Sequence, residues 1–214
     1  MPKLVIIVGC PRSGTSALCG LFVANGWGVG GPLIGGDTMN ELGYFEDKRI
    51  LEINDKILAT RGIDWRKAKY KDLKDITVPD NLTSEMKKCL STFDWAKDVV
   101  IKECRLSHLL PLWLPLLPKR PIVLLPIRNL EELLNSYKKM WWMDDPQEFP
   151  QRIRNYINGA VEMCLDAQLP LLMDYYPDFR LFTKLFQLDK PWKQDRLHHN
   201  KSTKWISPLS ENYK

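Results

Sequence analysis

The sequence lacks the features that hold small secreted proteins together and those that place proteins in membranes. It has five cysteines, an odd number without a CxxC pair, which argues against a disulfide framework and against a structural zinc site. The longest apolar stretch, residues 109–125, is broken by four prolines and by Lys119 and Arg120, so it cannot span a membrane. The apolar segment at residues 4–8 is too short for a signal peptide. We therefore expect a soluble, cytoplasmic protein with reduced thiols and no membrane span.

A strong charge of either sign is also missing. The 31 lysines and arginines exceed the 26 aspartates and glutamates by five, a balance that suits an anionic small molecule as well as nucleic acid. The content of 44% hydrophobic and 10% aromatic residues excludes intrinsic disorder. A chain of 214 residues buries about 70% of its unfolded surface, so we expect one domain over residues 1–214 that needs no stabilising metal.

Continuous apolar runs rich in β-branched residues predict buried parallel strands, and apolar residues at helical spacing predict helices between them. The predicted strands are residues 4–8, 98–102 and 121–127, and the predicted helices are residues 16–25, 48–61 and 130–140. Strands that alternate with helices form a parallel sheet covered on both faces. The predicted fold class is α/β, a three-layer P-loop-like fold with a central parallel sheet flanked by helices.

Two segments show neither pattern. Residues 26–43 contain seven of the twelve glycines, which predicts a long mobile loop. Residues 189–214 are polar and basic, which predicts a surface segment or a tail. The sequence contains no internal repeat and no low-complexity run.

A glycine-rich turn follows the first predicted strand and leads into a helix. Its sequence, from Gly9 to Ser16, fits the nucleotide-binding pattern GxxxxGK[ST] except that Thr15 stands in place of the lysine. Backbone N–H groups and the helix dipole converge on such a turn and favour a phosphate there. The hydroxyls of Thr15 and Ser16 can also donate hydrogen bonds to this phosphate, and Arg12 is the only cation in the turn. The alternative is a structural turn that merely tolerates glycine.

A second anion site is predicted where the third predicted strand ends. Arg128 ends that strand, and Asn129 with Glu132 predicts an N-cap and capping pair for the next helix. We expect Ser136 to point back towards Arg128, beside a core face made of Leu130, Leu133, Leu134 and Tyr137. A guanidinium and a hydroxyl at the carboxyl edge of a parallel sheet can bind an anion. The alternative is a solvated serine and an ordinary surface arginine.

Together the two motifs resemble those of sulfotransferases that use 3′-phosphoadenosine 5′-phosphosulfate (PAPS). In that family a P[KR]SGT segment binds the 5′-phosphosulfate, and an arginine with a serine eight residues later binds the 3′-phosphate. Pro-Arg-Ser-Gly-Thr-Ser at residues 11–16 matches the first motif, and Arg128 with Ser136 matches the second. Gly-Tyr-Phe-Glu-Asp at residues 43–47 and Lys-Glu-Cys-Arg-Leu at residues 102–106 resemble the GYFED and KDPRL segments of a bacterial-type branch, with Glu-Cys in place of Asp-Pro.

The resemblance implies which residues hold PAPS. Arg128 and Ser136 would take the 3′-phosphate, and the basic tail residues Arg196, His198 and His199 would close over it. The 5′-phosphosulfate would lie on Pro11, Arg12, Ser13, Gly14, Thr15 and Ser16. No Walker-type aspartate follows the third predicted strand, and a sulfuryl group carries a single negative charge, so no metal is expected.

An acceptor hydroxyl needs a general base, for which the sequence offers several candidates. Glu46 is one, because several carbohydrate-sulfating members of the family use a glutamate; it could instead cap the helix that starts near Asp47. His108 is another, because cytosolic members use a histidine, although it stands in an apolar run typical of a packing histidine. Glu41 and Asp47 are further alternatives.

The reaction implied by the resemblance is the transfer of a sulfuryl group from PAPS to a hydroxyl or an amine by in-line displacement, with Arg12 and Lys102 as catalytic cations. A P-loop kinase of a small metabolite and a catalytically silent nucleotide-binding relative are the alternatives. The acceptor could be a small molecule, a carbohydrate or a lipid, and nucleic acid is not an expected partner. Met-Trp-Trp-Met at residues 140–143 predicts either a wall of an acceptor or adenine pocket or core packing at a helix end.

Overall fold

The computed structural model describes residues 1–38, 40–138 and 146–190. Within them, four parallel strands form one sheet in the order β2-β1-β3-β4. The strands are β1 (Leu4–Ile7), β2 (Val99–Lys102), β3 (Ile122–Ile127) and β4 (Leu171–Tyr175). The predicted α/β class with a parallel sheet between helices is confirmed. Strand β4 was not predicted, because this strand at the end of the sheet is only half-buried or exposed and lacks a continuous apolar run of β-branched residues.

Seven α-helices flank the sheet in the described part of the chain. They are α1 (Thr15–Ala24), α2 (Lys48–Ala59), α3 (Asp80–Leu90), α4 (Leu106–Trp113), α5 (Leu130–Tyr137), α6 (Phe149–Asp166) and α7 (Arg180–Phe186). Short 3₁₀ turns lie at Tyr70–Asp72, Leu114–Leu116 and Pro146–Glu148. The three predicted helices are confirmed as α1, α2 and α5. Helices α3, α4, α6 and α7 were not predicted, and α4 contains Pro111.

Strand β1 shows how both faces of the sheet are covered. Leu4 and Ile6 face one side and belong to a core that includes residues of α2, α3, α4 and α6. Val5 and Ile7 face the other side and pack with α1 and α7. Side chains alternate between the faces of a strand, and all four residues of β1 are buried. This burial on both faces explains why the strand is a continuous apolar run.

The carboxyl ends of the strands meet at one edge of the sheet. Ile7 at the end of β1 is in register with Lys102 of β2 and with Leu124 of β3. The turn after β1 therefore leaves the sheet beside Lys102, and Arg128 follows β3 at the same edge. This edge is where open α/β sheets bind their ligands.

The glycine-rich segment at residues 26–43 contacts the rest of the fold at two points. The Gly28 N–H donates to the Asp98 carbonyl at 2.8 Å, and its own carbonyl accepts an N–H of β2 at 2.9 Å, so Gly28 extends along the outer side of that strand. Leu33 forms a bridge with Asp47 at the start of α2. The segment predicted as a mobile loop thus contacts both the sheet and α2.

Helix α5 begins as predicted but buries a narrower face. The Asn129 side chain accepts hydrogen bonds from the N–H groups of Glu131 at 2.9 Å and Glu132 at 3.3 Å, which confirms the N-cap. Leu133 and Tyr137 are buried, whereas Leu130 is 53% exposed. The prediction that Leu130 packs in the core is therefore wrong: it is the first residue of the helix, and the cluster that takes up Leu133 and Tyr137 does not reach it.

Two sequence predictions fall outside the described residues. The basic tail residues Arg196, His198 and His199 belong to residues 191–214, and the Met-Trp-Trp-Met cluster belongs to residues 139–145. Among the residues that the structure describes, no helix combines the length and the apolar character needed to cross a membrane.

Candidate functional site at the carboxyl edge of the sheet

The turn after β1 leads directly into α1, and no side chain caps the start of this helix. Gly9 and Gly14 have φ angles of 131° and 99°, which glycine adopts without strain. Arg12 has a φ of 71°, which is uncommon for a residue with a side chain. Gly14 is the N-cap of α1, no side chain caps the helix, and its first turn has no acidic residue. The first N–H groups of a helix have no partner within it, so this turn can offer them to an anion.

The hydroxyls predicted to hold phosphate lie in or next to this turn. Ser13 is buried and donates to the Cys10 carbonyl at 2.8 Å, so its hydroxyl stabilises the turn itself. Thr15 is buried at the first residue of α1. The Ser16 hydroxyl donates to the Tyr44 carbonyl at 3.3 Å, which joins the turn to the segment that leads to Glu46.

Arg12 connects the two predicted anion sites. Its Nε donates to the Ser136 hydroxyl at 2.9 Å, and Arg128 Nη1 donates to the Arg12 carbonyl at 3.1 Å. Arg128 also pairs with Glu132 through Nε at 3.2 Å. Burial lowers the pKa of Arg12, and the neighbouring Arg128 lowers it as well, yet an arginine remains charged in proteins. The structure thus links Arg128 and Ser136 through Arg12, whereas the sequence analysis placed Arg12 and the pair of Arg128 and Ser136 in two separate anion sites.

Tyr176, which follows β4, is a site residue that the sequence analysis missed. Its ring lies so close to Gly14 that a side chain at Gly14 would collide with it. The Arg128 guanidinium lies 4.8 Å from the centre of the same ring, in the arrangement of a cation–π contact. The Tyr176 N–H donates to the Ile127 carbonyl at 2.7 Å. The Leu-Leu-Met run after Pro170 was the available sequence signal for β4 and hence for this residue.

Glu46 and Lys102 form a buried ion pair beside the turn. The Lys102 ammonium donates to Glu46 Oε1 at 2.5 Å, and both side chains are buried. Burial alone would lower the pKa of Lys102, but the Glu46 carboxylate and the Cys104 thiol raise it, and the net shift is upward. Lys102 is therefore a permanent cation. No residue in the described part of the chain donates a hydrogen bond to Glu46 Oε2.

Asp47 and Glu41, the other acidic candidates for the base, have different surroundings. Asp47 is the N-cap of α2, accepts the Arg49 N–H at 2.9 Å and pairs with the Arg49 guanidinium at 2.6 Å. Asp47 rather than Glu46 therefore caps this helix, which leaves the Glu46 carboxylate for another role. Glu41 is exposed in the glycine-rich segment.

Glu103, which stands in place of the aspartate of the KDPRL segment, belongs to a buried polar network. The Glu103 carboxylate accepts from Asn54 at 2.7 Å and from Arg105 at 2.7 Å. Arg105 also donates to Asp55 at 2.7 Å and lies over the Trp65 ring at 4.6 Å. Burial raises the pKa of Glu103, whereas Arg105 lowers it, and the net shift is upward. Arg105 therefore joins α2 to the start of α4, whereas Lys102 donates to Glu46 and the Cys104 thiol lies 4.0 Å from Glu46 Oε1.

His108 lies in α4 and packs against α6 rather than against the ion pair. Its ring touches Gly159 and lies 5.1 Å from the centre of the Tyr156 ring. The residue is 2% exposed, and neither ring nitrogen has a hydrogen-bond partner in the described residues. The structure thus places His108 as a packing histidine and does not bring it together with Glu46 and Lys102.

The buried His108 makes the fold less stable in mild acid. Burial lowers the pKa of His108 from 6.5 to about 4, whereas the unfolded chain keeps the ordinary value. Between these values the unfolded state binds more protons, so the free energy of unfolding falls as the pH falls. From pH 7.5 to pH 5 we expect this residue to remove about 2 kcal/mol, measured by urea unfolding. A His108→Leu variant should lose that part of the pH dependence; an unchanged pH dependence would contradict the assignment.

Comparisons with known proteins assign this chain to no family. No protein-family model matches the sequence, and no curated protein matches it either. In the described part of the chain, no group of three or more histidine, cysteine, aspartate or glutamate side chains is arranged to hold a metal ion. The site at the carboxyl edge of the sheet therefore consists of an uncapped helix start, three linked side chains and a buried ion pair.

Proposed function

We propose that this protein is a PAPS-dependent sulfotransferase that transfers a sulfuryl group to a hydroxyl or an amine of a small-molecule, carbohydrate or lipid acceptor. The observation that carries the proposal is the link between the motifs: Arg12 donates to Ser136 at 2.9 Å, and Arg128 donates to the Arg12 carbonyl at 3.1 Å. This link supports two adjacent anion sites, one at the start of α1 and one at Arg128. A donor with a 5′-phosphosulfate and a 3′-phosphate uses both sites.

The charges of the turn suit a sulfuryl donor better than a nucleoside triphosphate. Phosphoryl transfer in P-loop enzymes relies on the lysine that is replaced by Thr15 here. A sulfuryl group carries one negative charge, whereas a terminal phosphate carries nearly two. Arg12 and the first N–H groups of α1 can therefore stabilise the charge that grows on the leaving oxygen.

Glu46 is the general base in this proposal, and Lys102 is the residue that positions it. Lys102 holds Glu46 Oε1, which leaves Oε2 to accept the proton of an acceptor hydroxyl. Because Ser16 donates to the Tyr44 carbonyl, the segment that carries Glu46 is joined directly to the phosphate-binding turn.

Thermal unfolding with three nucleotides tests the donor assignment. Adenosine 3′,5′-bisphosphate at about 100 times its Kd should add about 2.7 kcal/mol of stability, which raises the Tm by roughly 5–10 °C. AMP lacks the 3′-phosphate and should stabilise the protein less at the same concentration. In an Arg128→Ala variant the difference between these two nucleotides should shrink, because the 3′-phosphate loses its guanidinium partner.

Thermal unfolding together with an assay of sulfate transfer separates the sulfotransferase proposal from its alternatives. Stabilisation by ATP with Mg²⁺ but not by adenosine 3′,5′-bisphosphate would support a small-metabolite kinase and contradict the sulfotransferase proposal. Binding of adenosine 3′,5′-bisphosphate without transfer of labelled sulfate from PAPS to any acceptor would identify a silent nucleotide-binding relative.

A further inference from the structure

The protein holds the Arg128 guanidinium on two sides. Its Nη1 donates to the Arg12 carbonyl at 3.1 Å, and the guanidinium lies 4.8 Å from the centre of the Tyr176 ring. The Arg128 side chain is only 13% exposed. Because a main-chain carbonyl and a packed ring cannot turn away, these contacts fix the guanidinium beside the turn that precedes α1.

The third contact of Arg128 is with a side chain that can move. Its Nε pairs with the Glu132 carboxylate at 3.2 Å, and the Glu132 side chain is 52% exposed. An exposed ion pair is weak, because water can replace either partner. Glu132 also lies in the first turn of α5, where the helix dipole favours a carboxylate whether or not it is paired. Glu132 is therefore a displaceable counterion of Arg128.

Glu132 occupies an edge of the guanidinium that suits a phosphate. A guanidinium offers paired N–H groups along two edges, one made by Nε with Nη2 and the other by Nη1 with Nη2. Glu132 holds Nε of the first edge, and the Arg12 carbonyl holds Nη1 of the second. A phosphate that takes the first edge must displace Glu132. A phosphate on the second edge would still lie beside this carboxylate, and the two negative charges would repel each other.

The surroundings of Tyr176 indicate that both charges of the pair act at this place. Burial raises the pKa of Tyr176, Arg128 lowers it and Glu132 raises it, and the net shift is upward. Arg12 also lowers this pKa. The phenol therefore lies within electrostatic range of both arginines and of Glu132.

We propose that Glu132 competes with the 3′-phosphate for Arg128 and so limits the affinity of the site, an inference that rests on the sulfotransferase function proposed above. The contact between Glu132 and Arg128 breaks when a nucleotide with a 3′-phosphate binds. PAPS and the product adenosine 3′,5′-bisphosphate both carry this phosphate. Glu132 therefore weakens the binding of both and hastens the release of the product.

Glu132→Gln tests the competition through a gain of affinity, which a damaged fold would not produce. Adenosine 3′,5′-bisphosphate should bind this variant about 3- to 10-fold more tightly than the wild-type protein, measured by titration calorimetry. The gain arises because Arg128 no longer gives up an ion pair and the phosphate no longer meets a carboxylate. AMP lacks the 3′-phosphate, so its affinity should change by less than about twofold.

Glu131→Gln is the matched control. Glu131 is exposed in the same first turn of α5, and its side chain does not contact Arg128. The substitution removes the same charge from the same helix end, so the affinity for the bisphosphate should change by less than about twofold.

The gain in Glu132→Gln should also require Arg128. In an Arg128→Ala background the same substitution should change the affinity by less than about twofold, because the contact that it removes is already lost. An undiminished gain in that background would overturn the competition, and so would unchanged or weaker binding in the single variant. Weaker binding would mean that Glu132 orients Arg128 for the phosphate. If Glu132→Gln does not fold, Glu132→Ala replaces it with the same expected gain.

The comparison with AMP separates a failure of this inference from a failure of the proposed function. If the bisphosphate binds the wild-type protein more tightly than AMP does, and Glu132→Gln adds nothing, the inference is overturned and the donor assignment stands. If the bisphosphate binds no more tightly than AMP to any of these proteins, the donor assignment fails, and inorganic phosphate decides the inference. Phosphate binding that strengthens in Glu132→Gln, but not when Arg128 is also alanine, supports the competition, and its absence overturns it.

Discussion

Replacing Glu46 with glutamine should slow sulfuryl transfer by about 10²–10⁴-fold. Glutamine keeps the shape of the side chain and can still accept a hydrogen bond from Lys102, but it cannot take a proton from the acceptor. The loss should therefore appear in kcat, with little change in the binding of adenosine 3′,5′-bisphosphate. Steady-state transfer from labelled PAPS at saturating donor measures it.

The same substitution should destabilise the fold, because Lys102 then carries a buried charge without a counterion. Breaking a buried ion pair from one side costs roughly 3–5 kcal/mol, so rates are compared well below the Tm of the variant. Glu41→Gln is the matched control: this exposed glutamate lies in the same loop region and should leave the rate unchanged. A Glu46→Gln variant that folds, binds nucleotide and keeps more than about a third of the wild-type rate would show that Glu46 is structural.

Replacing Arg12 with alanine should lower kcat by about 10²–10³-fold, the usual effect of removing one donor from a developing negative charge. Arg12 is the only cation in the turn, and its Nε contact with Ser136 joins the two proposed phosphate sites. We therefore also expect weaker binding of adenosine 3′,5′-bisphosphate, measured by titration calorimetry. AMP binding should be affected less, because AMP does not engage the 3′-phosphate site.

Two variants control for the loss of a positive charge. Arg61→Ala removes an exposed arginine at the end of α2 and should leave rate and binding unchanged. Arg12→Lys keeps the charge in the turn, so it should recover part of the rate while losing the guanidinium contact with Ser136. A normal rate in Arg12→Ala would mean that Arg12 serves only the conformation of the turn.

The parts of the fold that the sequence predicted are those with strong local signals. Strands β1 and β3 are buried on both faces and are therefore continuous apolar runs, and α2 shows a regular apolar face. Strand β4 and helix α4 escaped prediction for opposite reasons. The first lies half-exposed at the end of the sheet, whereas the second is mostly buried and contains a proline.

The candidate site likewise has parts that the sequence predicted and parts that it did not. The turn with Thr15 in the lysine position and the spacing between Arg128 and Ser136 are visible in the chain itself. The partner of Glu46 is not visible, because Lys102 lies 56 residues away in the chain. From the sequence, Glu46 could also have been the cap of the helix that starts near Asp47.

The sequence by itself determined the α/β class and the residues that the turn after β1 carries, because both depend on residues that are close together in the chain. Only the tertiary structure decided that Arg12 touches Ser136, 124 residues away, and that Glu46 meets Lys102. Those contacts follow from the strand order β2-β1-β3-β4, which places the ends of β2 and β3 on either side of the turn after β1. Strand order depends on how the helices pack on the two faces of the sheet, and no local pattern in the chain records it.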